Sequence, residues 1–118
     1  MRLLFVCVGN SCRSQMAESI ARKFGYVAAS AGTEPSEKVS ANALAVLEKR
    51  GYDVNGLYPK LIDDIDWNKF DKIISMGCGV SCPAIRIDND WGLEDPVGQP
   101  IHVFEETATM IENLIKKL

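Results

Sequence analysis

Residues 3–8, Leu-Leu-Phe-Val-Cys-Val, form an unbroken apolar run that stops at Gly9 and leads through a short polar loop into a segment of helical spacing. A run this short and this apolar suits a strand buried on both faces, as in a parallel sheet covered by other layers. The segment that follows, 14–24, spaces Met16, Ala17, Ile20, Ala21 and Phe24 along a helix, and Gly25 stands at the usual stop position. The alternation continues. A second strand at 26–31 closes at Gly32, and a helix over 36–50, carrying Val39, Ala43, Val46 and Leu47, stops at Gly51. An acidic loop with a short helix is expected at 61–70, a third strand at 72–76 and a fourth at 84–87. After a polar loop at 88–100, the last helix uses Phe104, Ala108, Ile111, Leu114, Ile115 and Leu118, with Lys116 and Lys117 at its negative end.

Strands alternating with helices predict an α/β fold whose parallel sheet is covered on both faces. Ligands of such sheets bind beyond the carboxyl ends of the strands. Three polar stretches meet that edge: the loop after the first strand, the segment 78–82, and the loop 88–100.

The chain has 118 residues with no repeat or linker, so a single domain over 1–118 is expected. No apolar run approaches the roughly 20 residues of a membrane-spanning helix. The apolar start is too short for a secretory signal and runs into a polar loop, which predicts a cytoplasmic protein. Thirteen basic against sixteen acidic residues give a net charge of −3. That balance argues against nucleic-acid and anionic-membrane partners, which draw on clustered lysines and arginines. An anion site in this chain has to be local.

The loop 7–14, Cys-Val-Gly-Asn-Ser-Cys-Arg-Ser, supplies one. Gly9 and Asn10 tolerate the positive φ angles that turn successive backbone N–H groups inward. The helix N-terminus adds partial positive charge, and Arg13 offers a planar fork for two oxygens of a tetrahedral anion. The oxyanion-binding residues are thus Val8, Gly9, Asn10, Ser11, Cys12 and Arg13. The same field stabilises a thiolate, so Cys7 is an ionised nucleophile beside the centre it attacks, with Ser14 hydrogen-bonding its sulfur.

The loop 7–14, the later Asp95-Pro96 and the order of elements resemble the low-molecular-weight protein tyrosine phosphatase superfamily. Gln15, Met16-Ala17-Glu18 and Ser30-Ala31-Gly32 are more similar to its thioredoxin-coupled arsenate reductase branch. The resemblance spans essentially the whole chain. It implies a three-layer α/β/α fold with a four-stranded parallel sheet flanked by helices. No nucleotide, flavin or haem signature appears, and a monomer without metal or organic cofactor is expected. In both branches a cysteine thiolate attacks the oxyanion while an aspartic acid protonates the departing oxygen, which assigns Cys7 and Asp95.

The branches part at the cysteine adduct. A phosphatase hydrolyses it with water, whereas a reductase passes two electrons to arsenic and needs further thiols. The resemblance implies a relay in which Cys78 attacks Cys7, arsenite leaves, and Cys82 attacks Cys78 to leave a disulfide for thioredoxin. Only three residues separate Cys78 from Cys82, a shorter interval than is usual in that branch. No aromatic follows Asp95-Pro96, where the phosphatases place rings to stack on phosphotyrosine; Trp91 is read as packing. The reductase reading is therefore preferred to the phosphatase one.

A zinc site built from all four cysteines is a rival, but it leaves Arg13 beside the ligands unexplained. Cys12 is read as either a packed residue or a protective disulfide partner, and His102 as structural. In some relatives residues matching Asn10, Glu18 and Ser30 hold an alkali cation; here they are read as hydrogen-bonding supports of the loop.

Overall fold

The computed structural model describes residues 1–77 and 86–118. Its elements are β1 (Arg2–Cys7), α1 (Arg13–Lys23), β2 (Val27–Gly32), α2 (Ala41–Lys49), β3 (Lys72–Ser75), β4 (Asn89–Asp90) and α3 (Ile101–Lys116), with 3-10 turns at Ile62–Asp64 and Trp67–Lys69. The four strands form one parallel sheet in the order β2-β1-β3-β4. This is the α/β sheet expected from the alternating pattern.

β1 is central, and its two-residue alternation splits the core. Leu3 and Phe5, with Ile74 of β3, bury against Met16 and Ile20 of α1, Leu47 of α2 and Phe104 and Ile111 of α3. Leu4, Val6, Ala31 and Ile73 face the other way, against Ile62, Ile65, Trp67 and Phe70. All three α-helices thus share one cluster, and the 3-10 region caps the opposite face.

From β1 the chain passes to β2 on one side and then crosses to β3 on the other. The reversal leaves a crevice at the carboxyl ends of β1 and β3, the place where open α/β sheets bind ligands.

Two expectations need correction. The helix predicted over 36–50 begins only at Ala41. Residues 36–40 run irregularly beside the first loop instead, with a bend at 37–38, where Ser36 N donates to Gly9 O at 2.9 Å and Ser40 N to Ser11 O at 2.7 Å. The fourth strand pairs at Asn89–Asp90 rather than at 84–87. Of the predicted strand, residues 84 and 85 lie outside the described residues, and Arg86 and Ile87 are exposed and unpaired with β3. Arg86 is drawn away to the carbonyl oxygens of Phe70 and Asp71, and pairing starts once Asp88 N donates to Ile73 O at 2.8 Å.

Candidate active site

The loop between β1 and α1 closes around the Cys7 sulfur. Asn10 N donates to Cys7 Sγ at 3.1 Å, and Ser14 Oγ lies 2.9 Å from the same sulfur. Asn10 has the one positive φ among the described non-glycine residues, 48°, which turns its N–H back toward the sulfur. Its side chain is fully buried. Nδ2 donates to Ser14 Oγ at 2.8 Å, while Oδ1 accepts from Gln15 Nε2 at 3.0 Å and from Lys60 N at 2.9 Å. Two donors into Oδ1 fix the orientation of the amide. With Asn10 donating into it, the Ser14 hydroxyl keeps its own hydrogen for Cys7.

The N-terminus of α1 carries no side-chain cap and no acidic residue in its first turn. Its orphan N–H groups and partial positive charge therefore face the loop. Among the described residues no acceptor takes the N–H groups of Gly9, Ser11 or Cys12. They line an open pocket of about 270 Å³ together with Cys7, Val8, Asn10, Arg13, Glu34, Ser36, Asp95 and Val97.

Arg13 is buried and half committed to the protein. NH1 donates to Met76 O at 3.2 Å and to Leu93 O at 2.8 Å. NH2 is 3.8 Å from Asp95 Oδ2, so NH2 and Nε remain for the oxygens of an anion. Asp95 itself is 55% exposed, and its Oδ1 accepts from Val97 N at 3.1 Å in a tight turn. The structure thus brings Asp95 to the pocket that Cys7 and Arg13 line, with Ser14 buried behind the Cys7 sulfur. Cys78 and Cys82 lie outside the described residues, as does part of the four-cysteine arrangement considered for zinc.

Cys12 is buried, and its sulfur contacts Met16 Sδ at 4.0 Å. Burial pushes its thiol far up, with the Asp95 charge adding to the effect, so Cys12 stays protonated and packs. Trp91 leans on Phe5, ring centroids 5.5 Å apart, as a packing residue does. His102 is exposed on the first turn of α3, away from the pocket-lining residues.

Behind the loop, Ser30 Oγ donates to Glu18 Oε1 at 2.7 Å, the hydrogen-bonding role expected of this pair. Glu18 also meets two cations, Arg22 at 2.7 Å and Lys60 at 3.5 Å. Lys60 and the carbonyls of Met76 and Leu93 escaped the sequence reading. Nothing in their local pattern marks them, because each acts across 50 or more residues of chain.

The family profile of the low molecular weight phosphotyrosine protein phosphatases matches residues 2–118. The "Glutaredoxin arsenate reductase" of Synechocystis sp. is 39% identical, over 99% of this chain and 98% of its own. An arsenate reductase solved in its phosphate-binding state superposes with a TM-score of 0.90 at 36% identity, covering 98% of this chain and 94% of the other. The low molecular weight protein tyrosine phosphatase of T. tengcongensis gives a TM-score of 0.80 at 31% identity, covering 99% and 96%. With the Cys7 loop at the crevice of a four-stranded parallel sheet, the chain belongs to the low molecular weight phosphotyrosine protein phosphatase family.

Proposed function

We propose that this protein reduces arsenate to arsenite by way of a covalent cysteine adduct. The observation that carries the first step is the Cys7 sulfur held by Asn10 N and Ser14 Oγ beside the free edge of Arg13. Cys7 thiolate attacks the arsenic of an arsenate bound by the N–H groups of the loop and Arg13. A sulfur–arsenic bond forms, an arsenic–oxygen bond breaks, and Asp95 gives the departing oxygen its proton so that it leaves as water.

Cys78 thiolate then attacks Cys7 Sγ. The sulfur–arsenic bond breaks with its electron pair going to arsenic, which departs as arsenite and leaves a Cys7–Cys78 disulfide. Attack by Cys82 on Cys78 frees Cys7 as a thiolate and moves the disulfide to Cys78–Cys82. A dithiol reductant returns the two electrons. Thioredoxin is the donor proposed from the sequence, and the name of the Synechocystis relative makes glutaredoxin with glutathione the second donor to test.

Reduction is favoured over ester hydrolysis by the two further thiols in the sequence and by the pocket rim. Glu34, Ser36, Asp95 and Val97 stand there, with no ring among these described residues to stack on a phosphotyrosine. Phosphotyrosine hydrolysis through a phosphocysteine is the second reading, supported by the family and by a pocket that treats arsenate and phosphate alike.

The test is arsenite release by the purified protein with NADPH, thioredoxin and thioredoxin reductase, and in parallel with glutathione and glutaredoxin. Cys82→Ser runs beside it, with para-nitrophenyl phosphate as the ester substrate. Sustained turnover in the wild type that falls to at most one arsenite per Cys82→Ser chain is the expected outcome. Ester hydrolysis that survives loss of Cys82, without arsenite from either donor system, replaces the reductase with a phosphatase.

A further inference from the structure

We infer that Lys60 is a positioning residue of the oxyanion loop: its ammonium neutralises the buried Glu18 and so holds its own backbone where the N–H fixes the Asn10 side chain. The inference rests on the reading of the Cys7 loop as an anion site, whichever reaction follows.

The Glu18 side chain is 1% exposed, on the face of α1 that turns toward β2. A carboxylate buried to that degree requires compensating charge and hydrogen bonds. Ser30 supplies one hydrogen bond, and Arg22, one helical turn on, supplies a guanidinium that is itself 45% exposed. The better shielded cation is Lys60, 12% exposed, with Nζ 3.5 Å from Glu18 Oε1. Nζ also donates to Tyr58 O at 2.8 Å and sits 4.4 Å from the centre of the Tyr58 ring. Burial pulls the ammonium below its usual value while Glu18 opposes that pull, as expected of a cation taken from water for a partner.

The main chain of Lys60 is where this charge pair reaches the site. Lys60 N donates to Asn10 Oδ1 at 2.9 Å, and Lys60 O accepts from Gly32 N at 2.8 Å at the end of β2. Asn10 in turn donates to Ser14 Oγ, which touches Cys7 Sγ. An unbroken line of contacts therefore runs from a charge pair behind the sheet edge to the nucleophile. Without the ammonium, Glu18 keeps the Ser30 hydroxyl and one exposed cation, Arg22, the tether to Tyr58 O is lost, and the segment that orients Asn10 is no longer fixed. Asn10 then ceases to hold both the Ser14 hydroxyl and its own N–H on the sulfur.

The experiment uses inorganic phosphate as the probe, with its dissociation constant measured by calorimetry. A second readout is the rate of Cys7 alkylation by iodoacetamide, followed on the Cys7 peptide by mass spectrometry. Lys60→Met is expected to weaken phosphate binding and slow Cys7 alkylation by about tenfold each, the scale of one lost charge-assisted bond. Lys60→Arg keeps both within about threefold, and adding Glu18→Gln to Lys60→Met restores most of the loss, since the uncompensated charge is then gone.

Wild-type values in Lys60→Met overturn the inference, and so does a loss that Glu18→Gln leaves unrepaired. If Lys60→Met does not fold, the double variant and Lys60→Arg carry the test, and tenfold weaker binding in both rejects it. A wild-type protein that binds no phosphate would instead remove the anion-site reading itself. Neither readout depends on arsenate or on a reductant.

Discussion

Gly32 ends β2 directly beneath the oxyanion loop, where a Cβ would lie 2.4 Å from Val8 O and 3.0 Å from the Asn10 Cβ. The nearer contact is backbone, so it cannot be relieved by turning a side chain. Gly32→Ala is expected to cost about 2 kcal/mol in urea unfolding, in the range of an overpacked core. It should also weaken phosphate binding, because the displaced atoms are those that shape the loop. Equal stability and equal affinity in the variant would mean that the loop is more yielding than these distances imply. Cys7, Arg13 and Ser14 were legible in the sequence because they fall within one turn between a strand and a helix, where spacing alone brings them together. Lys60 was not. A lysine at the end of a polar stretch looks like any solvated lysine, and only the fold reveals the buried carboxylate opposite it.

At the scale of elements, one carboxylate ties the chain to β3 just ahead of a two-residue strand. Asp88 Oδ2 accepts from Ile73 N at 2.8 Å and pairs with Arg86 Nε at 3.1 Å, just ahead of β4. Burial raises the Asp88 carboxyl, but the Ile73 N–H and Arg86 outweigh it and hold the group below the usual carboxylate range. A depressed folded value contributes stability that is present above the unfolded value of about 3.9 and lost as pH falls through the folded one. Asp88→Asn should therefore lower stability by less than ~1 kcal/mol at pH 7, given the partial exposure of the pair. It should also flatten the acid limb of a stability-against-pH curve measured below pH ~4. An unchanged acid limb would take Asp88 out of the account. The same region misled the periodicity. Ala84-Ile85-Arg86-Ile87 reads as a strand, while the residues that pair with β3 are Asn89 and Asp90. Two polar residues at a sheet edge carry no strand signature. The start of α2 differs from the periodicity for a related reason: residues 36–40 fit a helical pattern, but the backbone N–H groups of Ser36 and Ser40 are taken by the loop.

Across the whole molecule, the polar ties between α2 and α3 lie apart from the Cys7 pocket. The C-terminal end of α2 is tied to α3 by Arg50, which donates to Glu105 Oε1 at 3.1 Å and to Glu112 Oε1 at 2.8 Å, while Tyr52 OH donates to the other oxygen of Glu112. None of these residues lines the Cys7 pocket. Burial and the Glu112 carboxylate push the Tyr52 phenol up to about 12. The raised value means that the contribution of Tyr52 is complete below pH ~10 and is lost as pH climbs through the folded value. Tyr52→Phe is expected to cost about 1 kcal/mol at neutral pH and to lose none of its remaining stability to this group between pH ~10 and ~12. Phosphate affinity in Tyr52→Phe should match the wild type. A variant that keeps its stability but loses phosphate would show that the two halves are coupled. The α/β class, the parallel sheet and the edge that bears the site could all be read from alternation and glycine stops, because these are local signals. How α2 and α3 lock together could not, since it depends on side chains more than 50 residues apart.

The two carbonyl bonds of Arg13 join the pocket to the chain beyond β3. Met76, whose carbonyl takes one of them, stands two residues ahead of Cys78. The guanidinium that faces the Cys7 pocket thus also holds the backbone two residues ahead of Cys78. A substitution of Arg13 therefore takes a cation from the pocket and, in the same stroke, two bonds from the backbone at Met76 and Leu93.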